Sequence, residues 1–121
     1  MNIRHTLGRS RAVVGLAQDI RRVSTRLSRV TKLGRDTGRM RRYCASQKTR
    51  KLQLGAGPTI LEGWLCTDIL PESDQVLYLD VTEPFPFDDN VFDYIYCEHM
   101  IEHLSWHEGL SMLKECRRIL K

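Results

Sequence analysis

The sequence predicts an α/β fold on a parallel sheet, formed by residues 51–121 and preceded by a basic helix. Three observations predict it. Four short apolar runs recur, each ending in glycine or an acid. A capped amphipathic helix follows the fourth run. The charge also divides the 121 residues in two. Residues 1–50 hold 14 Lys/Arg against Asp19 and Asp36, a net of +12, whereas residues 51–121 hold 5 basic against 13 acidic groups, a net of −8. The overall +4 is therefore a sum of unlike parts and does not by itself point to nucleic acid. A hydrophobic content of 41% excludes wholesale disorder. About 70 residues lie near the lower limit for a self-sufficient core. No apolar run reaches the roughly 18 residues of a membrane span. The start of the chain lacks a continuous apolar stretch, so a secretory signal is not expected. Cys44, Cys66, Cys97 and Cys116 form no C-x-x-C. Neither a zinc ribbon nor a disulfide framework is suggested, and a reducing, cytoplasmic setting is expected.

The basic arm comes first. Val13, Leu16, Ile20, Val23, Leu27 and Val30 recur at alternating steps of three and four within residues 11–33. This a/d pattern puts one narrow apolar stripe on a helix whose other faces carry arginine. Three readings stay open: a helix packed on a partner or its own domain, a basic surface helix meeting anionic lipid or nucleic acid, and a cleaved organellar targeting segment. Only Tyr43 is aromatic in this half, so the stacking platform of a single-strand nucleic-acid binder is missing. Gly34 and Gly38 break the pattern, and residues 39–50 read as a linker.

Four strands follow. Lys51–Leu54 runs into Gly55-Ala56-Gly57, Gly63–Thr67 ends at Asp68, Gln75–Leu79 ends at Asp80, and Asp93–Cys97 ends at Glu98. The runs are mostly apolar rather than alternating, as expected of strands covered on both faces. Ligands of open α/β sheets bind just beyond the carboxyl ends of the strands, where these glycine and acidic residues converge. Only eight residues separate the first two strands, so any helix between them is very short. Ser105 and Glu108 fit a capping box opening a helix, with Leu110, Leu113, Cys116 and Leu120 as its apolar face.

Each terminus suggests a chemistry. Gly55-x-Gly57 allows backbone to approach a ligand closely, although the third glycine of a dinucleotide fingerprint is absent and an ordinary turn explains it equally well. A carboxylate ending a second strand, here Asp68, can accept both hydroxyls of a ribose, or simply serve the turn before Pro71. Pro84-Phe85-Pro86-Phe87 is stiffened by its prolines. An apolar wall containing Phe87 beside Asp80 suits a flat heteroaromatic with an exocyclic amine.

Leu54-Gly55-Ala56-Gly57, Gly63–Ile69, Asp80 with Pro84–Asp93, and Glu98-His99-Met100-Ile101-Glu102-His103-Leu104 together resemble the class I S-adenosylmethionine-dependent methyltransferases, most closely the type 11-like group acting on small molecules. The resemblance covers residues 51–121. It implies a Rossmann-like three-layer sandwich of which the chain carries the N-terminal, cofactor-binding half. It implies S-adenosyl-L-methionine as cofactor, with Gly55, Ala56 and Gly57 against its methionine part, Asp68 on ribose, and Asp80 beside adenine. Glu98 and His99 face the methyl-transfer site, as the candidate general base. The family commonly has an acid two residues before the first glycine, where this chain has Gln53. Its sheet has seven strands and continues past a helix ending like Arg118–Lys121, normally through Pro-Gly-Gly. An alternative expectation is accordingly an inactive, methyltransferase-like binding or interaction module. In that fold the fourth strand is interior, so an unpaired Asp93–Cys97 edge would favour self-association.

His99-Met100-Ile101-Glu102-His103 also spells H-x-x-E-H, a zinc motif when both histidines share one helical face. A third ligand is not evident, the resembled family carries Glu-His-Leu here without metal, and no metal site is expected.

Overall fold

The computed structural model describes residue 31 and residues 34–121, so the Val13–Val30 stripe and the readings attached to it lie outside the described residues. Residues 34–46 form helix α1. Strands β1 (Lys51–Leu54), β2 (Leu65–Asp68), β3 (Leu77–Tyr78) and β4 (Tyr94–Cys97) follow, then a 3₁₀ turn (Ile101–His103) and helix α2 (Trp106–Ile119). The strands form one parallel sheet in the order β3-β2-β1-β4. With its flanking helices this is a partial Rossmann-like α/β fold. The strand order reverses between β1 and β4, which is where such folds place their ligand crevice.

Residues 39–46 are not a linker. Asp36, Met40, Tyr43 and Cys44 recur at helical spacing on the inner face of α1. Met40 and Asp36 are almost completely buried, at 1% and 2% exposure. Two glycines inside the helix cost roughly 1 kcal/mol each relative to alanine, and packing outweighs them. Asp36 Oδ2 accepts the Tyr78 backbone N–H at 2.8 Å, satisfying the outer margin of β3. Its other oxygen lies 3.5 Å from Arg39 and 3.6 Å from Arg35. At the far end of α1 the Tyr43 hydroxyl accepts the Lys51 N–H at 3.0 Å and sits within hydrogen-bond range of the Lys51 and Gly63 carbonyls, to which it can donate. One helix therefore ties β3 at one end and the start of β1 at the other.

The register sorts the strand side chains. Leu52 and Leu54 of β1 share a face with Leu65 of β2 and with Ile95 and Cys97 of β4, over which Met40, Phe85, Phe92, Met112 and Ile119 close the main core. The opposite face is thinner. Ala56, Cys66 and Val76 cluster there beneath Trp64, which meets Tyr96 edge-on at 6.1 Å and lies under the Lys51 ammonium at 5.5 Å. Full burial on both faces holds for β1 and β2 but not for β4, where Tyr94 and Tyr96 are exposed. Only Leu77 and Tyr78 of the third run have strand geometry. Beyond α2 the chain returns to the sheet: Leu120 forms a single parallel bridge with Phe92, and the Lys121 N–H donates to the Phe92 carbonyl.

The capping box at Ser105 is present in full, the Ser105 hydroxyl accepting the Glu108 N–H while Glu108 accepts the Ser105 N–H. The buried face of α2 differs from expectation. Gly109, Met112, Cys116 and Ile119 turn inward, whereas Leu110 and Leu113 are 42% and 51% exposed. Glu115 and Arg118, one turn apart, grip the proline-rich loop. Glu115 accepts the Phe85 N–H at 2.7 Å, and Arg118 donates to the Phe85 and Phe87 carbonyls and to Asp89. The two side chains are joined at 2.7 Å.

Two outcomes follow from these anchors. Asp36→Ala leaves the Tyr78 N–H without its acceptor and should lower unfolding free energy by about 1–3 kcal/mol in urea titrations. The Arg118 guanidinium holds the Glu115 carboxyl below its ordinary value, helped by the Phe85 N–H and opposed by burial. A depressed carboxylate contributes stability above its unfolded pKa, about 4.3 for glutamate, and loses it as pH falls toward its folded value. Glu115→Gln should therefore lower the melting midpoint at neutral pH and flatten its decline on acidification, read by calorimetry across pH.

Candidate functional site

The carboxyl edge of the sheet gathers the predicted groups unequally. β1 ends in a turn that requires glycine, since Gly55 and Gly57 have φ of +66° and +51°. L-residues with a Cβ enter this left-handed region at a cost of roughly 1–2 kcal/mol. Gly55 meets a second constraint, because a Cβ there would lie 2.8 Å from Met100 Cγ. Between them, Ala56 is buried and its N–H donates to the Thr67 carbonyl, stitching the turn to β2. Asp68, half-buried at the end of β2, completes the loop: Oδ2 accepts the Gly57 N–H at 2.9 Å and Oδ1 accepts the Leu70 N–H at 2.8 Å. Four acceptor positions on a carboxylate leave it able to take further donors. No helix forms across residues 55–64, and the Gly57 and Gly63 turns make the crossover instead.

Gln53, which stands where the resembled family commonly has an acid, is held in a specific state. It is 3% exposed, its Nε2 donates to the Thr59 carbonyl at 3.0 Å, and its Oε1 is buried without a hydrogen-bond partner. A buried acceptor left unpaired costs about 1–3 kcal/mol.

Asp80 lies beyond β3, half-buried, its Oδ1 accepting both the N–H and the hydroxyl of Thr82. Its charge also reaches Glu108 at the head of α2. Phe87 does not line this edge. It is a core residue at 9% exposure, packed edge-on against Phe92 at 4.9 Å, because the Glu115–Arg118 pair draws the loop backbone onto α2. The apolar wall expected of Phe87 is thus spent on the core.

Past β4 the chain turns sharply. His99 has φ +49°, a left-handed conformation outside glycine, worth of order 1 kcal/mol of strain and characteristic of functional turns. Glu98 and His99 stand in solvent beside each other, the imidazole Nε2 3.9 Å from Glu98 and Nδ1 3.4 Å from Glu102. The Tyr96 hydroxyl donates to Glu98 at 2.6 Å, and this carboxylate raises the phenol's pKa. The Glu102 carboxyl is lowered, first by a backbone N–H of its own and then by His99. Sequence reasoning overlooked Glu102 as His99's neighbour. The signal was present in the i,i+3 spacing, but it was read as part of a metal motif. His99 precedes a 3₁₀ turn that His103 ends, so the two do not share a face of an α-helix, and among the described residues no three His, Cys, Asp or Glu are grouped as a metal ion requires. Among the same residues no helix is long and apolar enough to cross a membrane.

A glycine turn, an acid-terminated β2 and a strand-order reversal between β1 and β4 together form the carboxyl edge of a Rossmann-like sheet. The particular family follows from comparison: a family model described as a methyltransferase domain (Methyltransf_11) matches residues 32–121, and the chain belongs to that family. The match takes in α1, in keeping with the packing of that helix on the sheet. No curated protein sequence matches the chain.

Gly55→Ala tests the turn. It should destabilise by about 1–2 kcal/mol from the φ penalty alone, with displacement of Met100 added, measured by chemical denaturation. Gly57→Ala, which meets nothing within 4 Å, should show the φ penalty without the added displacement.

Proposed function

We propose that the chain binds S-adenosyl-L-methionine at the carboxyl edge of its sheet and supports methyl transfer to a small-molecule acceptor. The observation that carries this reading is the Asp68 carboxylate locked onto the Gly57 N–H, which fixes a ribose-type acceptor beside a glycine turn. The orphaned Gln53 Oε1 fits the same ligand, because the cofactor's amino-acid end brings an ammonium donor. The cofactor, when bound, supplies an electrophilic methyl group.

The chain's own residues do the rest. Gly55 and Gly57 admit the ligand close to backbone, Asp68 takes the hydroxyls, and Asp80 offers a carboxylate to an exocyclic amine. Holding donor and acceptor in line accounts for most of the rate such a site can give. Glu98 or His99 would accept the acceptor's proton where the nucleophile needs it. Both are exposed beyond β4, and His99 is steadied by Glu102. The exposure of this pair also favours a second reading: a domain that binds cofactor while its catalytic end stays open to water, acting as a binding module rather than an enzyme.

Titration calorimetry with S-adenosylhomocysteine tests the binding step. Saturable binding to folded protein, lost or weakened at least tenfold in Asp68→Ala (about 1.4 kcal/mol), is the expected result. No binding by well-folded protein, or an unchanged affinity in Asp68→Ala, would overturn the reading.

A further inference from the structure

Two turns flank the strand-order reversal, the glycine turn after β1 and the Glu98–Met100 turn after β4. Met100 reaches from the second turn to the first. The space a Gly55 side chain would fill is taken by Met100, whose Cγ and Cβ lie 2.8 and 3.1 Å from that point. The two turns differ in how firmly they are held. The glycine turn is pinned by Ala56 to Thr67 and by Gly57 to Asp68. On the other side Glu98, His99, Ile101, Glu102 and His103 are all exposed. The 3₁₀ turn buries none of its residues, and Met100 at its N-cap gives it no side-chain hydrogen bond. Within residues 98–103, Met100 alone is drawn inward, packed against the main core. The His99 backbone at φ +49° is the bend that carries Met100 over Gly55.

We infer that Met100 is a plug: its Cβ and Cγ seat over Gly55 at the β1–β4 strand-order reversal, and ligand gains access to the glycine turn when residues 98–103 lift the side chain away. This rests on the proposed binding of the cofactor at that turn. Methionine suits the task, since its unbranched side chain with three rotatable bonds leaves and refills an irregular space easily. The strain at His99 belongs to the seated form and favours release, whereas the packing of the partly buried Met100 against the core opposes it. An exposed segment carrying one partly buried anchor is the low-stability element from which moving parts of binding sites are drawn.

The test is calorimetric titration of the full chain with S-adenosylhomocysteine, comparing wild type, Met100→Ala and Met100→Leu. Removing the plug should tighten binding about fivefold (~1 kcal/mol) in Met100→Ala, while Met100→Leu, which refills the space, stays close to wild type. Binding by Met100→Ala equal to or weaker than wild type overturns the plug and leaves the cofactor reading intact. Absence of binding in all three folded proteins overturns both. Binding by Met100→Ala alone supports the plug strongly. A second measurement does not depend on the alanine variant folding. In methyl-labelled wild type the Met100 methyl resonance should move toward a solvent-exposed position on saturation with S-adenosylhomocysteine. A resonance that stays in place while ligand binds overturns the inference.

Discussion

A sheet of four short strands leaves backbone N–H and C=O groups at its margins, and each one that is buried must find a partner. Here side chains supply those partners, and the architecture depends on them. Asp36 takes the N–H of β3, Tyr43 takes the N–H where β1 begins, and Glu115 with Arg118 holds both sides of the proline-rich loop. Prolines in that loop remove two of its own donors, so its remaining polar groups fall to α2. The result is a small fold whose helices are fastened by charged groups as much as by apolar contact. Charge-assisted bonds of this kind are stronger than neutral ones and specify one arrangement.

The same rule holds the carboxyl edge of the sheet in one arrangement. Asp68 spends its two oxygens on Gly57 and Leu70, and these bonds hold the glycine turn in a conformation that few residues can adopt. A carboxylate already fixed by two backbone donors loses little conformational freedom on binding, which is the benefit of preorganisation. Gln53 represents the opposite case, a polar atom buried with nothing to meet. Asp68 thereby holds the glycine turn firmly, while the turn after β4 stays exposed and bent.

How much of this was legible in the sequence depended on whether a local pattern or a tertiary contact decided the outcome. The ends of β1, β2 and β4 were readable because apolar runs stop at Gly55, Asp68 and Glu98. The Ser105–Glu108 box was readable because capping is a matter of four adjacent residues. Helix α1 was not. Its inner face is Asp36, Met40, Tyr43 and Cys44, which looks polar until the Tyr78 N–H arrives from 42 positions away, and Gly34 and Gly38 argue against any helix. The phase of α2 escapes the pattern because Leu110 and Leu113 are more hydrophobic than Gly109 and Cys116, yet Gly109, Met112, Cys116 and Ile119 are the residues turned toward the sheet. Phe87 was assigned to the ligand edge because adjacency to Asp80 in sequence was taken for adjacency in space. Arg118, 31 residues further on, sends it to the core.

The two tryptophans occupy unlike surroundings. Trp106 opens α2 at 80% exposure, and with Leu110 and Leu113 it makes an outward apolar stripe at i, i+4 and i+7. Trp64 is half-buried, edge-on to Tyr96 and beneath an ammonium. The fluorescence of the chain is consequently a sum of a water-facing emitter, nearly blind to folding, and a shielded one lying over the thin face of the sheet. Changes in intrinsic emission report on Trp64, and so on the face of β1 that carries Gln53.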